Sequence, residues 1–198
     1  MTPQRLVRSV NLHGLGPASL AALVTLSAGL ATCGGDPFIF PWELNPDTVL
    51  LYSLARPELN LEAAYSFNDR RKVRVEAATA TGTWDVAVDT RGGQLVFLPP
   101  GALGISSKAS VAALPGLSFA DLQDAPEDTA AYSRFAPVPV EMGTLYVVKT
   151  SQSPGIFGRL CSYYAKLEPL VIDVEGGTLT FVFDASPVCN SLRLIPPD

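Results

Sequence analysis

Residues 162–174, the tripeptide Glu175-Gly176-Gly177 and residues 178–184 constrain the fold of this chain more than any other stretch. Two β-rich runs that meet at a Gly-Gly turn read as an antiparallel hairpin. Pro169 has no N–H for a ladder, so it bends or interrupts the first run or places it at an edge. Facing residues of a hairpin carry numbers with a constant sum. A turn centred on 175–177 gives sums of 351 to 353, and Cys161 with Cys189 gives 350. The two cysteines thus fall within a few residues of facing each other beyond the ladder, and a disulfide forms there if the ends bend together. On the chain-entropy model, closing such a loop stabilises by about 3 kcal/mol.

Much of the remaining chain repeats with a period of two. In 72–78, Val73, Val75 and Ala77 share one face, and Lys72, Arg74 and Glu76 the other. In 83–89, Trp84, Val86 and Val88 point inward, and Asp85 and Asp89 outward. Arg91-Gly92-Gly93 is a turn into 94–98, and 48–54, 63–67 and 143–150 are further β-rich runs. Such alternation belongs to antiparallel strands with one wet face. The 33 Gly and Pro residues are spread along the chain rather than pooled, and punctuate these short runs. An apolar fraction of 47% is enough for a packed core. Residues 99–117 are weakly patterned. Ser118, an N-cap candidate, opens one short helix through 119–123 that resumes after Pro126. The expected fold is all-β: one antiparallel domain over 48–198, a sandwich or a partly closed barrel, with one short helix plugging an open end.

The N-terminal third is different. Residues 1–17 hold Arg5, Arg8 and the chain's one histidine, His13, and 18–32 are apolar or small without a charge. A basic start, an apolar core and a small-residue exit make a secretory signal. The run falls short of the roughly 20 residues of a membrane-spanning helix. It closes on Leu30-Ala31-Thr32-Cys33, followed by Gly34-Gly35-Asp36. This junction resembles the lipobox of bacterial lipoproteins, with Thr32 where Gly, Ala or Ser is usual. The resemblance implies cleavage before Cys33, lipidation of that cysteine and anchoring in a membrane. With Gly34 rather than Asp next, it implies the outer membrane of a two-membrane cell. Residues 1–32 are then a lipoprotein signal peptide and 33–47 a tether, extended by its Pro residues. An exported compartment permits the Cys161–Cys189 bridge.

Charge and residue types narrow the chemistry. From Cys33 onward there are 12 basic against 19 acidic side chains, a net charge of −7, which argues against a nucleic-acid partner. Without a histidine after His13, neither a Ser-His-Asp nor a Cys-His device can be built in the mature domain. A zinc site with a histidine ligand is excluded as well, and two cysteines cannot make a Cys-only one. No stretch matches a P-loop, a dinucleotide fingerprint or an EF-hand. Asp85 and Asp89 stand about 13 Å apart on one strand face, too far for a glycosidase pair. No catalytic residue and no metal ligand is therefore expected, and the protein reads as a non-enzyme. Arg70-Arg71-Lys72 with Arg74 is the one basic cluster, read as a charged turn and strand face that keeps an edge from aggregating.

Trp84-Asp85-Val86-Ala87-Val88, then 145–150, 164–167 and 177–181, resemble in order the strands of HmuY-like haem-binding lipoproteins. The resemblance implies an exported β domain that binds a small ligand, with Met142, Tyr146 and Tyr164 as candidate contacts. Haem is the cofactor it brings to mind, but paired histidine ligands are ruled out here, so no cofactor is firmly implied. The expected function is a lipid-anchored, non-catalytic domain presenting a binding surface to a small apolar or aromatic ligand or to an envelope protein. The alternative is a structural or assembly lipoprotein of the envelope with no small-molecule ligand.

Overall fold

The computed structural model describes residues 42–155 and 158–197. The expected signal peptide, Cys33 and tether residues 33–41 lie outside the described residues. Among those described, no helix is long and apolar enough to cross a membrane. The packed unit begins at Trp42, inside the expected tether.

Two five-stranded antiparallel sheets stack face to face. The first contains β1 (Asp47–Tyr52), β12 (Thr178–Ala185), β11 (Tyr164–Asp173), β8 (Thr144–Lys149) and β6 (Ser110–Pro115), in that spatial order. The second runs β3 (Arg71–Val73), β2 (Ala64–Ser66), β4 (Val86–Arg91), β5 (Gln94–Leu98), β7 (Val138–Pro139). A two-residue ladder joins β9 (Ser153–Pro154) to β10 (Leu160–Cys161). The architecture is a sandwich, because each sheet keeps its own edges.

Alternating residues of both sheets fill the space between them. Val86, Val88, Leu95 and Phe97 of the second sheet meet Val49, Leu51, Tyr146, Val148, Leu167 and Phe181 of the first. Tyr65, Phe67 and Phe183 interlock edge-to-face, with ring centroids 5.1–5.3 Å apart. Such contacts add about 0.5–1.5 kcal/mol each beyond the area they bury. Burial, with Asp47 nearby, pushes the Tyr65 phenol up to about 12.

The expectation of one wet face fails for β4. Trp84, Ala87, Val96 and Leu98 form a second core on the outer side of their sheet, against Val73 and Ala80. Trp84 therefore sits on the face opposite Val86 and Val88, and Asp85 is 1% exposed rather than outward. The backbone bends at Asp85, just before β4 begins, which breaks the parity that alternation assumes. Residues 72–78 likewise leave the ladder after Val73 and continue as turns, so that Ala80 can cover this outer face.

The first sheet is also covered on its outer side, where Val147 and Tyr164 pack under Ala125 and Leu194. This cover explains why the expected helix at 118–123 is a single turn. Asp121 N–H reaches Ser118, as an N-cap requires. The carbonyls of Phe119 and Leu122, however, accept from Lys166 Nζ at 2.7 and 3.1 Å. Pro126, four residues after Leu122, has no N–H to offer. Residues 123–125 are instead extended against the C-terminal segment, through Leu194 N–H to Gln123 and Ala125 N–H to Leu192. Helical turns of the 3-10 type occur at Pro100–Leu103 and, after Pro126, at Thr129–Ala131. The weakly patterned 99–117 region contributes β6, an edge strand with outer-face residues Ala112 and Leu114.

The hairpin forms as expected, with a bulge at Leu170 between Pro169 and Val171. The bulge changes the sum of paired numbers from 351 near the turn to 350 for the rest of the ladder. That is the sum of Cys161 and Cys189, and these two are joined in a disulfide with Cα atoms 5.0 Å apart.

Candidate functional site

The three ligand residues expected from the sequence do not converge. Met142 is 59% exposed in the turn before β8. Tyr146 is wholly buried between the sheets, edge-to-face with Phe97 at 5.0 Å. Its hydroxyl donates to the Pro139 carbonyl at 2.8 Å and accepts from Glu141 N–H at 2.9 Å, so it is fully used in holding β7 to β8. Tyr164 lies on the opposite side of the same sheet. Of the three, it alone lines a cleft.

That cleft has a floor set by strand register. Ser110 of β6 and Tyr164 of β11 are both direct cross-strand partners of Lys149 of β8. Direct partners point to one side of a sheet, here the outer side, since the inward positions are Val111, Val148 and Ala165. Above this row lies the segment 126–134. Asp128 accepts from Ala130 N–H at its N-terminal end, and the segment is pinned to β6 by reciprocal hydrogen bonds between Ser133 and Val111. Thr129 and Tyr132 face the cleft from it, in a volume of about 180 Å³. Tyr132 meets Tyr164 edge-to-face at 6.4 Å and donates its hydroxyl to the Pro126 carbonyl. Burial raises the Tyr132 phenol, which keeps it a neutral donor.

Three cations border this space: Lys108, Arg134 and Lys149. Among the described residues none of them has a carboxylate within ion-pair distance, although Glu127 stands at the rim. Arg134 Nε donates to the Ser107 carbonyl at 2.6 Å and its guanidinium lies 4.8 Å over the Phe135 ring, which fixes the group; among the described residues its two terminal nitrogens have no hydrogen-bond partner. Lys108 and Arg134 also wall a second cleft of about 300 Å³, lined by Ser107, Ser151 and Gln152. The two spaces are neighbours across a shared basic wall.

The contiguous cluster at 70–74 behaves differently. Arg70 adopts φ +48° and turns to Asp184 at 3.7 Å, with its guanidinium 4.7 Å over the Phe183 ring. Arg71 pairs with Asp69 and Lys72 with Glu62. Arg74, the fourth cation of the cluster, has no ion pair among the described residues and lines a cleft of about 420 Å³ with Arg71 and Lys72.

Asp85 is the buried carboxylate that outward placement overlooked. One oxygen accepts from Phe67 N–H and the other from both Ser151 N–H and Ser151 Oγ, all at 2.8 Å. It thereby ties the end of β2 to the loop after β8. Burial pushes its pKa up, against the opposing pull of those three donors. Among the described residues no group of three or more His, Cys, Asp or Glu side chains is placed to hold a metal ion.

The basic cleft was not visible in the sequence, since Lys108, Arg134 and Lys149 lie in three separate segments. The one signal available was Lys149 at the end of a strong strand.

No protein-family model matches the chain, and neither curated proteins nor solved structures show a significant similarity to it.

Proposed function

We infer that this is an exported, lipid-anchored protein whose β-sandwich is a non-catalytic binding domain. The signal-like N-terminus and the Leu30–Cys33 junction support export and anchoring at Cys33 to the outer membrane. The Cys161–Cys189 bridge fits an oxidising compartment. The observation that carries the binding reading is the cleft over Lys149. It gathers three unneutralised cations on a chain whose mature part is net acidic, beside hydroxyl and tyrosyl groups. Local charge of one sign in a recess concentrates ligands of the other.

The haem expectation gains no site. Met142 is exposed on a turn, and the Tyr146 hydroxyl is spent within the core. A flat aromatic ligand gains no open ring face at Tyr164, which is 9% exposed and has Tyr132 against it edge-to-face.

Two measurements test the reading. Palmitate labelling in a bacterial host should mark the wild-type chain and not Cys33→Ala, which should accumulate uncut. Normal cleavage and membrane retention of Cys33→Ala would remove the anchor. Native mass spectrometry of protein extracted from its own membrane should show a bound small molecule; an empty chain at every extraction would remove the binding function.

A further inference from the structure

The two adjoining clefts specify a ligand class. We propose that they bind an acidic oligosaccharide, its carboxylate or phosphate held between Lys108 and Arg134 and its hydroxyls by the polar groups on either side. The proposal rests on the binding reading above and deepens it.

Arg134 is the residue around which the site is arranged. With Nε held by the Ser107 carbonyl, its two terminal nitrogens form a fixed fork. Such a fork matches the two oxygens of a carboxylate or phosphate, and a preoriented guanidinium loses little freedom on binding. Lys108 stands on the same wall, facing both spaces. Lys149 adds a third charge from the floor. Glu127 is the one acid in this lining and is within ion-pair distance of none of the three cations, so their like charges repel each other and an anion between them relieves that repulsion.

The remainder of the lining decides against a lipid-like or flat aromatic anion. The hydroxyls of Ser107 and Ser151 on one side of the fork already bond Ala109 N–H and Asp85, whereas Gln152 on that side and Ser110 and Thr129 on the other have no side-chain hydrogen-bond partner among the described residues. An apolar body laid over these groups would leave their hydrogen-bonding capacity unmet, at a cost for each group so covered. A polyhydroxylated frame offers both donors and acceptors to them. Tyr164 is 9% exposed, with Tyr132 against it edge-to-face and Lys149 Nζ 5.9 Å from its ring centroid, so it presents little open face to stack a nucleobase. Two spaces of about 180 and 300 Å³ that share one basic wall suit an extended chain of sugar units better than one compact ion.

Asp85 gives the second space its shape. Its hold on Ser151 N–H and Oγ sets the loop that carries Ser151 and Gln152 into the lining. Asp85 is thus a positioning residue for the sugar-facing wall.

The test is calorimetric titration of the full-length protein in detergent with trigalacturonate, maltotriose 6-phosphate, neutral maltotriose and inorganic phosphate. Trigalacturonate or the sugar phosphate should bind at least tenfold more tightly than maltotriose, and more tightly than inorganic phosphate. The trigalacturonate and sugar-phosphate arms distinguish a uronate from a phosphorylated sugar. Lys108→Gln with Arg134→Gln should weaken the acidic sugar tenfold or more, while Arg71→Gln with Arg74→Gln should leave it unchanged. Equal binding of maltotriose, or binding untouched by the Lys108/Arg134 pair, would overturn the proposal. Inorganic phosphate binding as tightly as the acidic sugars would overturn the saccharide frame. Absence of binding by every probe, with a different molecule found on the native protein, would end the saccharide proposal and leave the binding function standing. Absence of binding by every probe together with an empty native protein would end both.

Discussion

Two basic regions of this molecule have opposite fates. Arg70, Arg71 and Lys72 are adjacent in the chain, yet the structure disperses them toward Asp184, Asp69 and Glu62. Lys108, Arg134 and Lys149 are far apart in the chain, yet the structure gathers them unpaired around one recess. A run of charge on a turn can satisfy itself locally, because each side chain reaches a different neighbour. Charge assembled from separate segments is placed by the backbone ladders and not by its own pairing. A basic motif in sequence and a basic site in space are therefore different things here: of the cations lining the recess at 71–74, Arg71 and Lys72 are already paired to acids, whereas none of those around Lys149 is.

The comparison can be broken at the element that carries the cleft's cover. Replacing Cys161 and Cys189 by Ser should cost about 3 kcal/mol in urea unfolding. The C-terminal segment then loses its tie beside 123–125, so anion binding should weaken while the Arg70–Asp184 contact persists. Loss of that contact instead would mean that the two regions fail together. Next in size is Asp85→Ala, which leaves Phe67 N–H and Ser151 without their acceptor. About 2 kcal/mol of destabilisation is expected from such buried donors, read from the shift of the unfolding midpoint.

Stability should separate the two basic regions themselves. Arg70→Ala removes a half-buried ion pair and a ring contact, an expected loss of about 1 kcal/mol. Lys149→Ala should change stability by less than about 0.5 kcal/mol, since it breaks no ion pair, loses only a long ring contact with Tyr164 at 5.9 Å and relieves like-charge crowding. A larger penalty at Lys149 than at Arg70 would reverse the comparison.

The smallest effect is in pH. Asp85 binds its proton more tightly folded than unfolded. Its contribution to stability is therefore fullest below the ordinary carboxyl value of about 3.9 and declines as pH rises from there through the raised folded value. The difference in unfolding midpoint between wild type and Asp85→Asn, followed from pH 4 to 7, should show this slope in the wild type alone. Parallel curves would indicate that Asp85 titrates normally.

Most strands were legible because a hairpin is a local object. Residues 94–98 and the turn before them, the 144–149 strand, and the paired strands around Glu175-Gly176-Gly177 carry their own periodicity and turn residues. So do the cysteines, whose numbers nearly satisfy the pairing rule and satisfy it fully once Leu170 is bulged out. Placement beyond the hairpin was not legible. Asp85 looked like a solvated acid because alternation assigns it a wet face, and only the packing of Trp84 against Ala80 shows that this face is covered. The helix at Ser118 had its cap, but Lys166 and Leu194 claim the carbonyls that a helix would use. Sequence by itself determined the all-β class, the disulfide pair and the hairpin, because these depend on period, turn chemistry and close pairing. Tertiary structure alone decided which faces were dry, what covered the outer side of each sheet and which cations met, because those follow from contacts between segments that have no local signal.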